Sequence, residues 1–406
     1  MPFGERVLSK FNYVVPLFLI PVVATFGLAV APNEPVFFGR DWGIIGAFAM
    51  AFIAFVLWLP YKKNQEPWSG MQLSFFTLLV TSWLFQSVST HLDGRTYNIS
   101  AFLVPAAIFL FVIKRPNSKM LRQAFIWSLY GLVIISALAL VLGSSGLIPN
   151  GFEGPDSGWS RLPILGDLFN ISTRWAGPFG SVNYAAPIGA LLLVAGFTLK
   201  GINRVVIVAG GLGVLTLSQG RTSAFAALFA LAVLFAYSER VQKLKYKMPI
   251  RLGAGLFMFS SLIVYIAVLD PTLNGRTPIW SNFLRLFVED PLFGIGTSGL
   301  EGYIAAGLPS SEVILYSHGH NVLIDMAVRY GIFLVILTIA ALTIAAIISW
   351  RARRRDSGET LALLVFLIMA GLAESIYSWQ YLSVYTVVMV YLVTVPDRIS
   401  VQKNLG

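Results

Sequence analysis

The sequence predicts an all-α, polytopic membrane protein of about twelve transmembrane helices, and three observations lead there. Hydrophobic residues make up 56% of the 406 positions and charged residues 12%, with a mean hydropathy of +0.75. A water-soluble globule could not reach that balance without exposing large apolar areas. Apolar runs recur along the whole chain at close to the ~20 residues that carry a helix across ~30 Å of hydrocarbon. The period-2 alternation of an outer-membrane barrel is absent, so backbone groups in lipid must be satisfied inside helices.

The spans fall at roughly 12–31, 42–60, 71–90, 99–114, 122–143, 184–199, 203–219, 222–237, 252–269, 330–349, 361–378 and 380–395. The first run, Phe11 to Ala31, is too long for a signal-peptide core and is interrupted by Pro16 and Pro21, so it reads as a retained helix. An even number of spans puts both termini on one side. With those termini inside, the inner loops and tails collect 21 of the 29 lysine and arginine residues, the asymmetry that sets orientation. The formal charge of +10 therefore belongs to a cytoplasmic membrane face, and no nucleic-acid partner is expected. The chain has no cysteine, which excludes disulfides and thiolate metal sites.

The eight basic residues left outside are Arg40, Arg95, Arg161, Arg174, Arg221, Arg276, Arg285 and Arg329, with no lysine among them. Arginine's planar fork grips carboxylate or phosphate oxygens in pairs, whereas lysine is a point charge, so some of these arginines are expected to share an anion. Two connections are long, and both are outer. Residues 144–183 are rich in Gly, Pro, Ser and Asp; residues 270–319 carry a helical pattern of their own. Function concentrates on long loops over a helical scaffold, so the site is expected outside a single membrane domain, 1–406.

Between spans seven and eight, on the outer side, Ser218-Gln219-Gly220-Arg221 turns into a span whose uncompensated N–H groups and dipole sit beside the Arg221 guanidinium. A membrane-interface arginine would read the same way. Asn274-Gly275-Arg276-Thr277-Pro278 reads as a helix start with Thr277 as N-cap, followed by an apolar stripe of Trp280, Phe283, Leu284 and Phe287 lying on the membrane surface. Arg285 falls on its polar side. His318 and His320 precede a span, His320 on a helix N-terminal turn, where a neutral imidazole able to accept a proton is favoured. A metal needs three or four convergent ligands, and only Glu312 and Asp325 lie near this doublet, which argues against one. Glu374 falls inside span eleven, where a carboxylate needs a function or a partner; Arg329 and an outer-loop arginine are both candidates. Asn183, opening span six, reads as an N-cap.

At this point the chain resembles the O-antigen ligase and O-antigen polymerase family of bacterial envelope glycosyltransferases. The match rests on His320-Asn321 followed after nine residues by Gly331, with Leu334 where a second glycine is expected. It is supported by the Ser218 to Arg221 turn, Gly275-Arg276 with Trp280, Pro291-Leu292-Phe293-Gly294-Ile295-Gly296, and Gly177 to Asn183. The resemblance implies a GT-C-like fold in the bacterial inner membrane with an extracytoplasmic site. It also implies inverting, metal-independent transfer of a glycan from an undecaprenyl-pyrophosphate carrier to an acceptor glycan or glycolipid, without a cofactor. Carried over, Arg221 and Arg276 would hold the pyrophosphate and His320 would orient or deprotonate the acceptor. Asn321, His318, Asn183, Arg174 and Arg285 would line the substrate. Ligase and polymerase chemistry both fit. The alternatives are a transporter or flippase of lipid-linked glycans, which would place charges along a path through the membrane, and a membrane scaffold indifferent to Arg-to-Lys exchange.

Overall fold

The computed structural model describes residues 12–29, 39–58, 68–92, 103–145, 152–153, 174–179, 181–264, 276–296, 319–374 and 383–404. Helices dominate. They are α1 (Val14–Ala29), α2 (Gly39–Trp58), α3 (Gly70–Leu92), α4 (Leu103–Lys114) and α5 (Ser118–Ser144), then α6 (Val182–Thr198), α7 (Gly201–Ser218), α8 (Arg221–Tyr237), the short α9 (Glu239–Gln242) and α10 (Lys247–Val264). After these come α11 (Arg276–Glu289), α12 (Val322–Ala352), α13 (Glu359–Ala373) and α14 (Val384–Asn404). Among the described residues, five stretches are long and apolar enough to cross a membrane: Gly70–Ser89, Ser118–Ser144, Gly201–Ser218, Arg221–Gln242 and Val322–Ala352. Helix α1 tolerates Pro21 in its interior, as membrane helices do when neighbours re-satisfy the freed carbonyl.

The all-α expectation holds, with one minor addition. Phe152–Glu153 (β1) pairs antiparallel with Arg174–Trp175 (β2), with Glu153 opposite Arg174. This short ladder brings residues 152–153 and 174–175 side by side. Two other boundaries shift. The last span was expected at 380–395 and the helix runs Val384–Asn404. The tenth was expected from 330, and its helix begins at Val322 because Asn321 caps it, accepting hydrogen bonds from the Leu323 and Ile324 amides.

Packing is closest between α6 and α7. A Cβ on Gly189 would meet the Leu215 backbone nitrogen at 2.5 Å, and one on Gly211 the Leu193 nitrogen at 2.6 Å. Small residues let the two backbones touch, which is how helices associate where lipid removes the hydrophobic drive between them. Around this pair, α8 lies against α6 and α13, and α12 lies against α3, α13 and α14. Outward-facing apolar side chains such as Phe52, Phe109, Phe235 and Phe259 are exposed. On a bilayer protein that surface faces lipid tails.

Candidate active site

Helix α12 is not one smooth helix. Gly331 has φ +73° and ψ −176°, breaking it after Tyr330. Into the break fits the segment after α11. The Ile332 amide donates to the Pro291 carbonyl at 2.9 Å and the Ile295 amide to the Val328 carbonyl at 2.9 Å. A Cβ on Gly331 would land on the Leu292 carbonyl, and one on Gly294 would meet the Arg329–Tyr330 backbone at 2.5 Å. The Pro291 to Gly296 motif and the histidine-to-glycine spacing are thus two halves of one junction. Leu334, at the position of the expected second glycine, is fully buried in the core.

This junction fixes α11 on the first half of α12. The contact face is Ile279, Phe283 and Leu286 against Val328, with Ile324 beside it. The expected stripe is therefore rotated: Leu284 is exposed and Trp280 only half-buried. Trp280 has another use, its indole Nε1 donating to the Gly319 carbonyl at 2.9 Å. Helix α11 starts at Arg276, so Thr277 lies in its first turn instead of capping it, with Pro278 beside it. Pro278 is at home there because first-turn amides have no helical partner.

Three groups then converge. Arg276 donates through Nη2 to Glu374 Oε1, and His320 Nδ1 lies 2.9 Å from Glu374 Oε2. The Arg276, His320 and Glu374 side chains are 7%, 11% and 6% exposed. Glu374 is the hub, and its placement differs from the expectation of a mid-span carboxylate: α13 ends at Ala373 and Glu374 is its C-cap, in extended conformation. The partner left open by the sequence is Arg276. Arg329 instead pairs with Asp325 at 3.2 Å, one turn away on α12.

His320 is held by its neighbours rather than by a helix. The Gly319 carbonyl takes the Trp280 bond, and the Gly319 amide donates to Asp325 Oδ1 at 3.1 Å. On the other side, Asn321 Nδ2 donates to the Leu372 carbonyl at 3.0 Å. Between these ties His320 takes φ +46°, a left-handed conformation that costs a non-glycine residue ~1–2 kcal/mol. Strain of this kind persists where surrounding contacts over-determine the backbone, and it aims the ring at Glu374. With Nδ1–H donating to a carboxylate, the neutral ring carries its lone pair on Nε2.

Arg221 opens α8 behind Gly220, an N-cap without a side-chain hydrogen bond. Gly220 therefore offers the first-turn amides no side-chain cap. Gly220 is packed against Ala186 of α6 so closely that a Cβ would overlap it. At the far end of α8, Tyr237 packs on Gly358, which precedes α13. The two helices consequently run antiparallel over about 25 and 22 Å at 1.5 Å per residue, which brings Arg221 level with Glu374. Arg174 joins the same turn, its Nε donating to the Ser218 carbonyl at 3.1 Å.

Other expected residues fare differently. Asn183 is not the N-cap of α6; Ser181 is, its hydroxyl accepting from the Asn183 amide at 3.2 Å. Arg285 lies on the exposed side of α11, nine residues and half a turn of angle from Arg276, and does not join the cluster. His318 lies outside the described residues. Two tyrosines that sequence reasoning missed are near: Tyr184 and Tyr385 are both within electrostatic reach of Glu374. The buried Tyr385 hydroxyl has no hydrogen-bond partner among the described residues.

Residues 205–339 match the family described as O-antigen ligase. The matched stretch holds Arg221, Arg276, His320, Asn321 and the Gly331 junction, and it ends before Glu374. No curated protein matches the chain.

Proposed function

We propose, from the match of residues 205–339 to the O-antigen ligase family, that the protein transfers a glycan, with inversion, from an undecaprenyl-pyrophosphate carrier to an acceptor hydroxyl in surface polysaccharide assembly. In this reading it is a twelve-span protein of the bacterial inner membrane with both termini cytoplasmic and the site outside, between the loops 144–183 and 270–319. The observation that carries the proposal is the Glu374 bridge between a guanidinium and an imidazole.

The acceptor oxygen attacks the anomeric carbon while the bond from that carbon to the pyrophosphate oxygen breaks. His320 Nε2 takes the hydroxyl proton, and Glu374 stabilises the imidazolium that results, as a carboxylate does in hydrolase triads. Undecaprenyl pyrophosphate leaves with its charge on phosphate oxygens. Arg276 uses Nη2 on Glu374, and a guanidinium has five donors; those remaining, with Arg221 and the α8 amides, meet the leaving group. Preplaced donors of this kind stabilise developing charge without a metal cation.

The transporter reading expects charges spaced along a path across the bundle. Among the described residues Arg276, His320 and Glu374 gather instead in one cluster at the end of α13. Arg221→Ala, Arg276→Ala and His320→Ala are each expected to leave an inserted protein that no longer makes surface polymer. Normal polymer in all three strains rejects the proposal. Movement of the intact lipid-linked glycan across vesicles by purified protein without acceptor would favour the transporter.

A further inference from the structure

At the opposite end of the bundle lies a cavity of about 690 Å³ that the transfer reaction does not use. It is framed by the starts of α5, α7 and α13 and the ends of α6 and α8. Glu359 on its wall opens the helix that Glu374 closes, which sets the cavity about 22 Å from the candidate active site. Five basic side chains surround it: Lys119, Arg122, Lys200, Arg204 and Arg355. Their partners are few. Arg122 Nη2 is 3.8 Å from Glu359 Oε2, and Arg204 Nε donates to the Leu199 carbonyl at 2.7 Å. The Lys119 and Lys200 ammonium groups have no hydrogen-bond or ion-pair partner among the described residues.

Three acidic residues line the cavity against these five basic ones: Glu239 is exposed, and Glu359 and Asp356 are already engaged. Glu359 accepts from the Tyr391 hydroxyl at 2.6 Å, and Asp356 accepts from the Gly358 amide at 3.1 Å and from the Thr360 amide at 3.1 Å. The unmatched charge in the cavity is therefore positive. Beside it the lining turns apolar at Phe197, Leu234 and Val395, and Phe197 is exposed. A volume in the 300–1,000 Å³ range of ligand sites, with cations at one side and a hydrocarbon wall at the other, suits an amphiphile with an anionic head.

The geometry points to a binding site for the phosphate head group of a membrane phospholipid, held by Lys119, Lys200 and Arg355 with its upper acyl chain along Phe197 and Leu234. Basic pockets between helix ends are the ordinary way membrane proteins hold such lipids, each cation adding to retention. In the orientation proposed above, the lipid comes from the cytoplasmic leaflet. The site does not depend on the transfer chemistry, and its test does not read that chemistry.

The purified full chain is incubated with phosphatidylcholine vesicles with or without phosphatidylglycerol, re-extracted in mild detergent, and its retained lipid measured by native mass spectrometry. Phosphatidylglycerol is expected to be retained in preference to phosphatidylcholine. The double variant Lys119→Ala/Lys200→Ala is expected to lose retention on the order of tenfold, whereas Lys243→Ala/Lys245→Ala, which removes equal charge away from the cavity, retains it. Equal retention by both variants, or equal loss in both, overturns the proposal. Displacement of the lipid by glycerol 3-phosphate at matching concentration overturns it in favour of a soluble phosphoester.

Discussion

Glu374 decides the behaviour of two other residues. A buried arginine deprived of its carboxylate leaves an uncompensated charge, typically a loss of ~3–5 kcal/mol, so Glu374→Ala is expected to lower the yield of folded protein. Glu374→Gln keeps shape and hydrogen bonding and removes only the charge. It is expected to remain folded and to lower the transfer rate by roughly 10² to 10⁴, the range a general base contributes. Single-turnover assays with lipid-linked donor check this, and near-normal rates in Glu374→Gln would show that the imidazolium needs no counter-charge. Arg221→Lys is expected to fold normally and to transfer poorly, because an ammonium cannot present the paired donors of a guanidinium to phosphate oxygens. This glutamate could be singled out from the chain as a carboxylate in an apolar run, and its partners could not. Arg276 lies 98 positions and His320 54 positions away in sequence, and no local pattern encodes a meeting at such separation.

Among the elements, the junction at Gly331 sets where α11 lies and so where Arg276 points. Gly331→Ala forces a Cβ into the Leu292 carbonyl at a positive φ that alanine rarely adopts. The expected result is a destabilisation of at least ~1–3 kcal/mol, read as a lower thermal-unfolding midpoint in detergent, with transfer falling as α11 loosens. An unchanged midpoint would mean the break is not required. The spacing from His320 to Gly331 was visible in the sequence as a motif. Its mechanical meaning was not, because it depends on a second motif, Pro291 to Gly296, seated in the break. The amphipathic pattern of α11 was equally visible, yet its buried face came out rotated toward Ile279 and Leu286, since the partner surface on α12 selects which of two adjacent stripes is covered.

For the molecule as a whole, the proposed orientation makes a direct prediction. The chain has no cysteine, so single introduced thiols report sidedness without background. Arg285→Cys, on the exposed face of α11, is expected to react with a membrane-impermeant maleimide in intact spheroplasts. Lys243→Cys, on the opposite side of the proposed topology, is expected to react only after permeabilisation. Reversed labelling would put the candidate site in the cytoplasm and remove its access to exported lipid-linked glycans.

Composition and hydropathy determined the membrane class, and the asymmetry of lysine and arginine supplied the proposed orientation, because both are sums over many residues that tolerate local error. Short motifs named Arg221, Arg276 and His320 because each sits at a helix start, which sequence marks well. Only the tertiary structure decided that Glu374 ends its helix and joins Arg276 to His320, that Arg329 turns to Asp325, and that Arg285 faces away. The physical reason is that helix periodicity says which residues share a stripe, whereas the packing of one helix against another decides which stripe meets which.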